Sequence, residues 1–170
     1  MGSLNVSQAI RNPGQGYGFD TEVVIEPMEV LGDPVHFVDV RVQGEYTCTG
    51  EDRISVAANV AATVETRCSR CLEPVSAPIS AAIDAVFVRK PDPDDPDLYS
   101  YEASTVELTD AVRDALLLEL PMRMLCSEDC RGLCPVCGVN LNRNTCTCQE
   151  GAEVMNPFSA LKNIVLNEEV

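Results

Sequence analysis

Apolar and polar residues alternate with a period of two through much of the first half of the chain. Val38, Val40 and Val42 alternate with Asp39, Arg41 and Gln43. Ile54, Val56, Ala58, Val60, Ala62 and Val64 alternate with small or polar residues such as Ser55, Asn59, Thr63 and Glu65. A third set is Ile79, Ala81, Ile83, Ala85 and Phe87. Successive strand side chains point to opposite faces, so this period predicts strands with one face on a core and one in water. Thr49-Gly50-Glu51-Asp52-Arg53 reads as the turn of a hairpin. Gly44, inside the first run, is expected to mark a bulge. An antiparallel meander beginning near residue 21 follows. The residues before it, with Asn12, Pro13, Gly14, Gly16 and Gly18, are expected to be turn-rich. Those glycines are not a phosphate loop, because no strand is predicted before them and no Lys-Ser or Lys-Thr pair follows.

The period then changes. Pro91 to Asp97 contains three prolines and four aspartates, which predicts a flexible acidic loop. Beyond it Leu108, Val112, Leu116 and Leu120 recur at helical spacing, with Ala115 alongside. Thr109 is expected as N-cap, Asp110 as the anion at the positive helix end, and Pro121 as the stop. Leu117 and Leu118 widen the apolar surface and predict a long helix sandwiched between other elements. Asn156-Pro157, followed by Phe158, Leu161 and Val165, predicts a short terminal helix that closes the core.

Composition restricts what such a fold does. The 170 residues are 45% hydrophobic but only 5% aromatic, with no tryptophan, so the core is expected to be thin. No run approaches the roughly 18 apolar residues of a membrane span. The start of the chain lacks a charged region leading into an apolar one, which predicts no signal peptide and a cytoplasmic protein. Nine cysteines in a reducing compartment point to metal rather than disulfides. The formal charge of −15, from 12 basic and 27 acidic residues, opposes non-specific phosphate binding and favours a basic partner.

Eight of the cysteines fall into four pairs: Cys68 and Cys71, Cys126 and Cys130, Cys134 and Cys137, Cys146 and Cys148. Zinc takes four such thiolates in a tetrahedron. Cys134-Pro135-Val136-Cys137-Gly138 has the form of a zinc knuckle, whose backbone amides wrap the sulfurs. Two divisions fit the spacing. Cys134, Cys137, Cys146 and Cys148 would hold one zinc, while Cys68 and Cys71 meet Cys126 and Cys130 at a second. Alternatively a single zinc draws on the six late cysteines, leaving Cys68 and Cys71 as a free dithiol. Cys48, in a strand, reads as a small core residue. The only histidine, His36, is far in sequence from every pair, and no Ser–His–Asp set is present. All-sulfur sites make poor Lewis acids, so the expectation is a structural or binding role and no enzyme.

Several segments together resemble the YceD-like family, whose members are called large ribosomal RNA subunit accumulation proteins. They are Leu4-Asn5-Val6-Ser7 with Pro13-Gly14, Cys68 to Leu72, Leu120-Pro121, and Cys126 to Asn142. The resemblance implies that Cys68 and Cys71 pair with Cys126 and Cys130. It also implies a non-catalytic ribosome-assembly factor whose partner is large-subunit ribosomal RNA, a basic large-subunit ribosomal protein, or both. The family pattern has Asp-Pro-Arg where this chain has Asn156-Pro157-Phe158, so any role of that arginine does not carry over. Arg123, Arg131 and Arg143 are weak candidates for contacting RNA or a protein, opposed by Glu128, Asp129 and the excess thiolate charge. A redox or metal-handling protein using the Cys-x-x-Cys thiols, or holding iron, is the alternative. The expected architecture is α+β: an antiparallel meander with one long helix over residues 1–120, and a cysteine-rich zinc-knuckle module with a terminal helix over 121–170, packed on it. Oligomeric state is not legible.

Overall fold

The computed structural model describes residues 2–91, 95 and 97–148. In chain order the elements are β1 (Ser3–Asn5), α1 (Ser7–Arg11), β2 (Gly16–Glu22), β3 (Met28–Val30), β4 (Asp33–Gly50), β5 (Arg53–Arg67), β6 (Pro74–Val88), β7 (Leu98–Ser100), β8 (Thr105–Glu107) and α2 (Thr109–Leu118). The expected terminal helix at 156–166 lies outside the described residues, as does most of the acidic run. No described helix is long and apolar enough to cross a membrane.

The three alternating runs are the three long strands, paired antiparallel as β4-β5-β6. Ile54, Val56, Val60 and Val64 of β5 are buried, as are Ala81, Ile83, Ala85 and Phe87 of β6. The turn between β4 and β5 has Glu51 at φ 51° and Asp52 at φ 57°. Two central residues at positive φ match the right-handed twist of the flanking strands, which closes the hairpin tightly.

The alternation in β4 breaks where the sequence reading did not place it. Val38 pairs with Thr63 but Arg41 pairs with Ala61, so one extra residue bulges at Asp39–Val40, where Asp39 has φ 54°. Val35 and Phe37 are buried before the bulge and Val40 and Val42 after it, whereas Val38 is only half-buried. An inserted residue shifts the phase of the pleat, which is how one strand keeps its apolar side chains on the core face across the interruption. Gly44 is not the bulge. It stands in regular register between Phe19 of β2 and Ala58 of β5. A Cβ there would lie 2.3 Å from the Ala57 carbonyl oxygen and 2.5 Å from the Ala58 Cβ, so glycine serves close strand approach.

Other expectations are corrected as well. Part of the supposedly turn-rich start is β2, which pairs with β4 from Gly16–Thr47 to Glu22–Arg41. Its inward side chains are Tyr17, Phe19 and Thr21, and Tyr17 stacks on Tyr46 with ring centroids 5.6 Å apart. The sheet is not purely antiparallel, because β7 runs parallel to β6. The helix is not long; α2 has 10 residues. Thr109 is its first residue rather than its cap, and the N-cap position is Leu108 with no side-chain cap bond. Leu108 is fully buried, and burial of a leucine outweighs the roughly 1 kcal/mol of a side-chain cap.

The core lies on one face of the sheet. Leu108 and, within α2, Val112 and Leu116 are fully buried there beside the buried Leu4, Val6, Ala9 and Val106, and the small β1–β8 ladder carries α1 and α2 onto that face. Leu118 is 87% exposed, so α2 lies on the sheet and is not sandwiched. Tyr99 donates to Asp114 of α2 at 3.2 Å and Tyr101 to the Asp52 carbonyl at 2.7 Å, tying the helix and the β4–β5 turn to β7. Gly44→Ala is expected to cost about 1–3 kcal/mol through overpacking, read as a lower urea midpoint with an unchanged slope.

Candidate metal centres

β5 ends at Arg67, and the chain turns through Cys68 to Glu73 before β6 begins. Within that turn Cys68 donates its N–H to the Glu73 carbonyl at 2.8 Å, and Leu72 donates to the Cys68 carbonyl at 2.9 Å. Residues 134–139 make the same two bonds: Cys134 N–H to Val139 O at 2.8 Å and Gly138 N–H to Cys134 O at 2.9 Å. Leu72 at φ 60° stands where Gly138 has φ 72°. The chain therefore contains two copies of one knuckle. The second is announced in sequence by its glycine, and the first is disguised because a leucine occupies the left-handed position.

Each knuckle meets a second cysteine pair. The ligand atoms of Cys68, Cys71, Cys126 and Cys130 all lie within 4.8 Å of one another, and so do those of Cys134, Cys137, Cys146 and Cys148. In the first quartet Cys68 Sγ is 3.7 Å from Cys130 Sγ, and Cys71 Sγ is 3.6 Å from Cys126 Sγ. Four thiolates on a tetrahedral ion at about 2.3 Å sit about 3.8 Å apart, so the spacing fits such an ion. A disulfide needs sulfurs at about 2.05 Å, and all nine cysteines are unpaired.

The segment after α2 reaches the first knuckle through backbone bonds. Ser69 N–H donates to Met124 O at 2.8 Å, and Leu133 N–H to Arg70 O at 3.1 Å. The Arg70 guanidinium donates to the Cys130 carbonyl at 2.8 Å. Gly132 packs so closely here that a Cβ would come 3.0 Å from the Arg70 carbonyl oxygen. Cys68, Cys71 and Cys130 are buried and Cys126 is exposed. The second quartet is more open, with Cys134 buried, Cys146 and Cys148 half-buried and Cys137 exposed.

The thiols compete for ionisation. Burial disfavours the Cys68 thiolate, but the N–H groups of Arg70, Cys71 and Cys126 and the Cys71 thiol bring it down to about 6. Cys71, despite the N–H of Glu73, is pushed up to about 12 by burial and by the Cys68, Cys126 and Cys130 thiols. In the second quartet the N–H groups of Cys137 and Val136 outweigh burial and bring Cys134 down to about 6. The Cys137 thiol, burial and Cys134 push Cys148 up to about 12. Like charges at this range cannot all form unaided. A bound cation would replace the protons, so the donor set fits a metal ion chemically as well as geometrically.

The remaining candidates are placed apart from this chemistry. Cys48 is buried in the sheet core. His36 sits exposed on β4 opposite Glu65, and neither sulfur set includes it. Arg143 pairs with Glu73 at 3.0 Å, while Arg123 and Arg131 are exposed.

A family model described as large ribosomal RNA subunit accumulation protein YceD matches residues 56–165, a span that holds both quartets. The chain belongs to the YceD family. An uncharacterized protein of Mycobacterium tuberculosis is 33% identical over 109 residues, 61% of this chain and 50% of that relative. The chain thus spans about half the length of the mycobacterial relatives it matches. The uncharacterized protein YlbN of Bacillus subtilis is 27% identical over 134 residues, 76% of this chain and 77% of YlbN. The chloroplastic large ribosomal RNA subunit accumulation protein YCED homolog 1 of Arabidopsis thaliana is 34% identical over 47 residues, 28% of this chain and 15% of the relative. No solved structure matches.

The equivalence of the two knuckles in this YceD chain has a consequence for stability. A left-handed residue other than glycine costs about 1–2 kcal/mol. Leu72→Gly is expected to leave thermal stability equal or higher, whereas Gly138→Ala lowers it by about 1 kcal/mol; calorimetry on the metal-loaded variants checks the opposite signs.

Proposed function

We propose that this YceD protein is a non-catalytic ribosome-assembly factor, stapled by zinc at both quartets, that escorts a basic large-subunit ribosomal protein and so supports accumulation of large-subunit ribosomal RNA. The family description carries the ribosomal reading, and the charge of −15 carries the choice of a basic protein over RNA. Among the described residues Arg41, Arg89, Arg113 and Arg143 are held in ion pairs with carboxylates. Arg70 is turned inward onto the Cys130 and Glu128 carbonyls. Cations engaged in this way are poorly placed to displace counterions from a phosphate backbone.

Zinc is the ion proposed because all-thiolate tetrahedral sets select it or iron–sulfur chemistry, and a closed set of four leaves no open position for a substrate. In this reading residues 1–120 are the sheet body, which supplies Cys68 and Cys71, 121–170 supply the other six metal-binding cysteines, and the protein works in the cytoplasm. A structural zinc contributes on the order of 10 kcal/mol of apparent binding energy to folding.

Metal analysis of the purified protein is expected to give near two zinc per chain in a colourless sample. A red iron chromophore would overturn zinc and favour redox chemistry. Cys134→Ser should remove amide protection across residues 130–148 while leaving β4, β5 and β6 protected; unchanged exchange in that loop counts against a structural metal there. For the partner, affinity capture at low and moderate salt is run with and without ribonuclease. A basic large-subunit protein retained after ribonuclease supports the escort reading, and loss of all ribosomal material with the RNA replaces it with direct RNA binding.

A further inference from the structure

One side chain reaches from the loop of the second quartet to a sulfur of the first. Asn142 lies in the loop between Cys137 and Cys146, and its side chain bonds Arg131 and Cys130 beside the first quartet. Its Oδ1 accepts the Arg131 N–H at 2.7 Å. A backbone N–H can only donate, so that bond fixes which amide atom is oxygen. Nδ2 is thereby aimed at Cys130 Sγ, to which it donates at 3.3 Å.

The loop that presents Asn142 is closed from both ends by the second quartet. Asn140 bridges to Leu133, and its side-chain oxygen accepts the Asn142 N–H at 3.0 Å. Leu141 N–H donates to Gly132 O at 2.9 Å. Asn140 and Arg143 also bond the Glu73 carboxylate of the first knuckle, at 3.2 Å and 3.0 Å. The contacts of Asn140 to Arg143 outside their own loop thus land on residues 130–133 or on the first knuckle.

We propose that the two metal sites form one coupled unit in which Asn142 is the positioning residue. Metal at the more open second quartet orders the loop, and the loop delivers an N–H to the Cys130 thiolate, holding the more buried first site closed. An N–H···S bond stabilises a thiolate against protonation and departure from the ion, and outer partners of this kind typically alter metal affinity by about 10–100-fold. The open quartet then acts as the gate through which chelators or oxidants reach the staple between sheet and helix. This rests on both quartets binding metal.

The full chain is loaded with zinc for release to a chromogenic chelator, and with cadmium-113 for resonance spectroscopy. Asn142→Asp keeps the acceptor for Arg131 N–H but loses the donor to sulfur; Asn142→Ala loses both. Both variants are expected to retain two metals, to release the first-site metal at least about tenfold faster, and to move the first-site cadmium resonance while leaving the second unmoved. Cys146→Ser with Cys148→Ser, which removes the second site, should hold one metal and release it as fast as Asn142→Asp does. Fewer than two metals in the unmutated chain would overturn the two-site reading itself. Two metals with first-site release and resonance unchanged in Asn142→Asp would overturn the coupling alone. A double cysteine variant that releases its metal at the original first-site rate would do the same.

Discussion

Four thiols within 4.8 Å of one another, drawn from the turn after β5 and from the segment after α2, are the constraint around which this protein is arranged. Closely spaced thiols resist joint ionisation, so the cluster is strained as an apo site and complementary to a cation. Its members are far apart in sequence, Cys71 and Cys126 being 55 residues apart. Bringing them together ties the segment after α2 to the turn after β5.

The sheet supplies the rigid frame for that closure. β5 and β6 remain in register from Ile54–Phe87 to Arg67–Pro74, so the knuckle between them projects from the end of a long, well-paired ladder. The bulge at Asp39–Val40 lets β4 follow the same ladder without turning its apolar side chains outward. With few aromatic residues, the core is built largely from valine, alanine and leucine on a single face. Such a one-sided layer gains from a cross-link at its end. The second knuckle repeats the geometry of the first in a more open setting, and its loop is bonded to the first knuckle rather than to the sheet.

Strand periodicity made β4, β5 and β6 legible, and helical spacing made α2 legible, because each pattern is local. The short strands were not legible. β1, β3, β7 and β8 have only three residues each, too few for a period; β3 and β7 lie against the longer β4 and β6, and β1 and β8 pair only with each other. The sandwiching of α2 was misjudged because Leu118 is apolar yet exposed. The cysteine pairs stood out in the sequence, whereas the first knuckle's likeness to the second did not, since Leu72 hides the left-handed turn that Gly138 advertises.

What the sequence determined by itself is the inventory: three amphipathic strands, one amphipathic helix, four thiol pairs and a strongly acidic surface, each set by residues near one another in the chain. Spacing alone left two divisions of the thiols open. Only the tertiary structure decided which pairs lie together, where the phase of β4 shifts, and that Asn142 reaches across from one quartet to the other. These depend on groups distant in sequence being held at hydrogen-bonding or thiolate spacing, and no local pattern carries that information. The sulfur cluster is where chain-distant chemistry and local turn geometry meet.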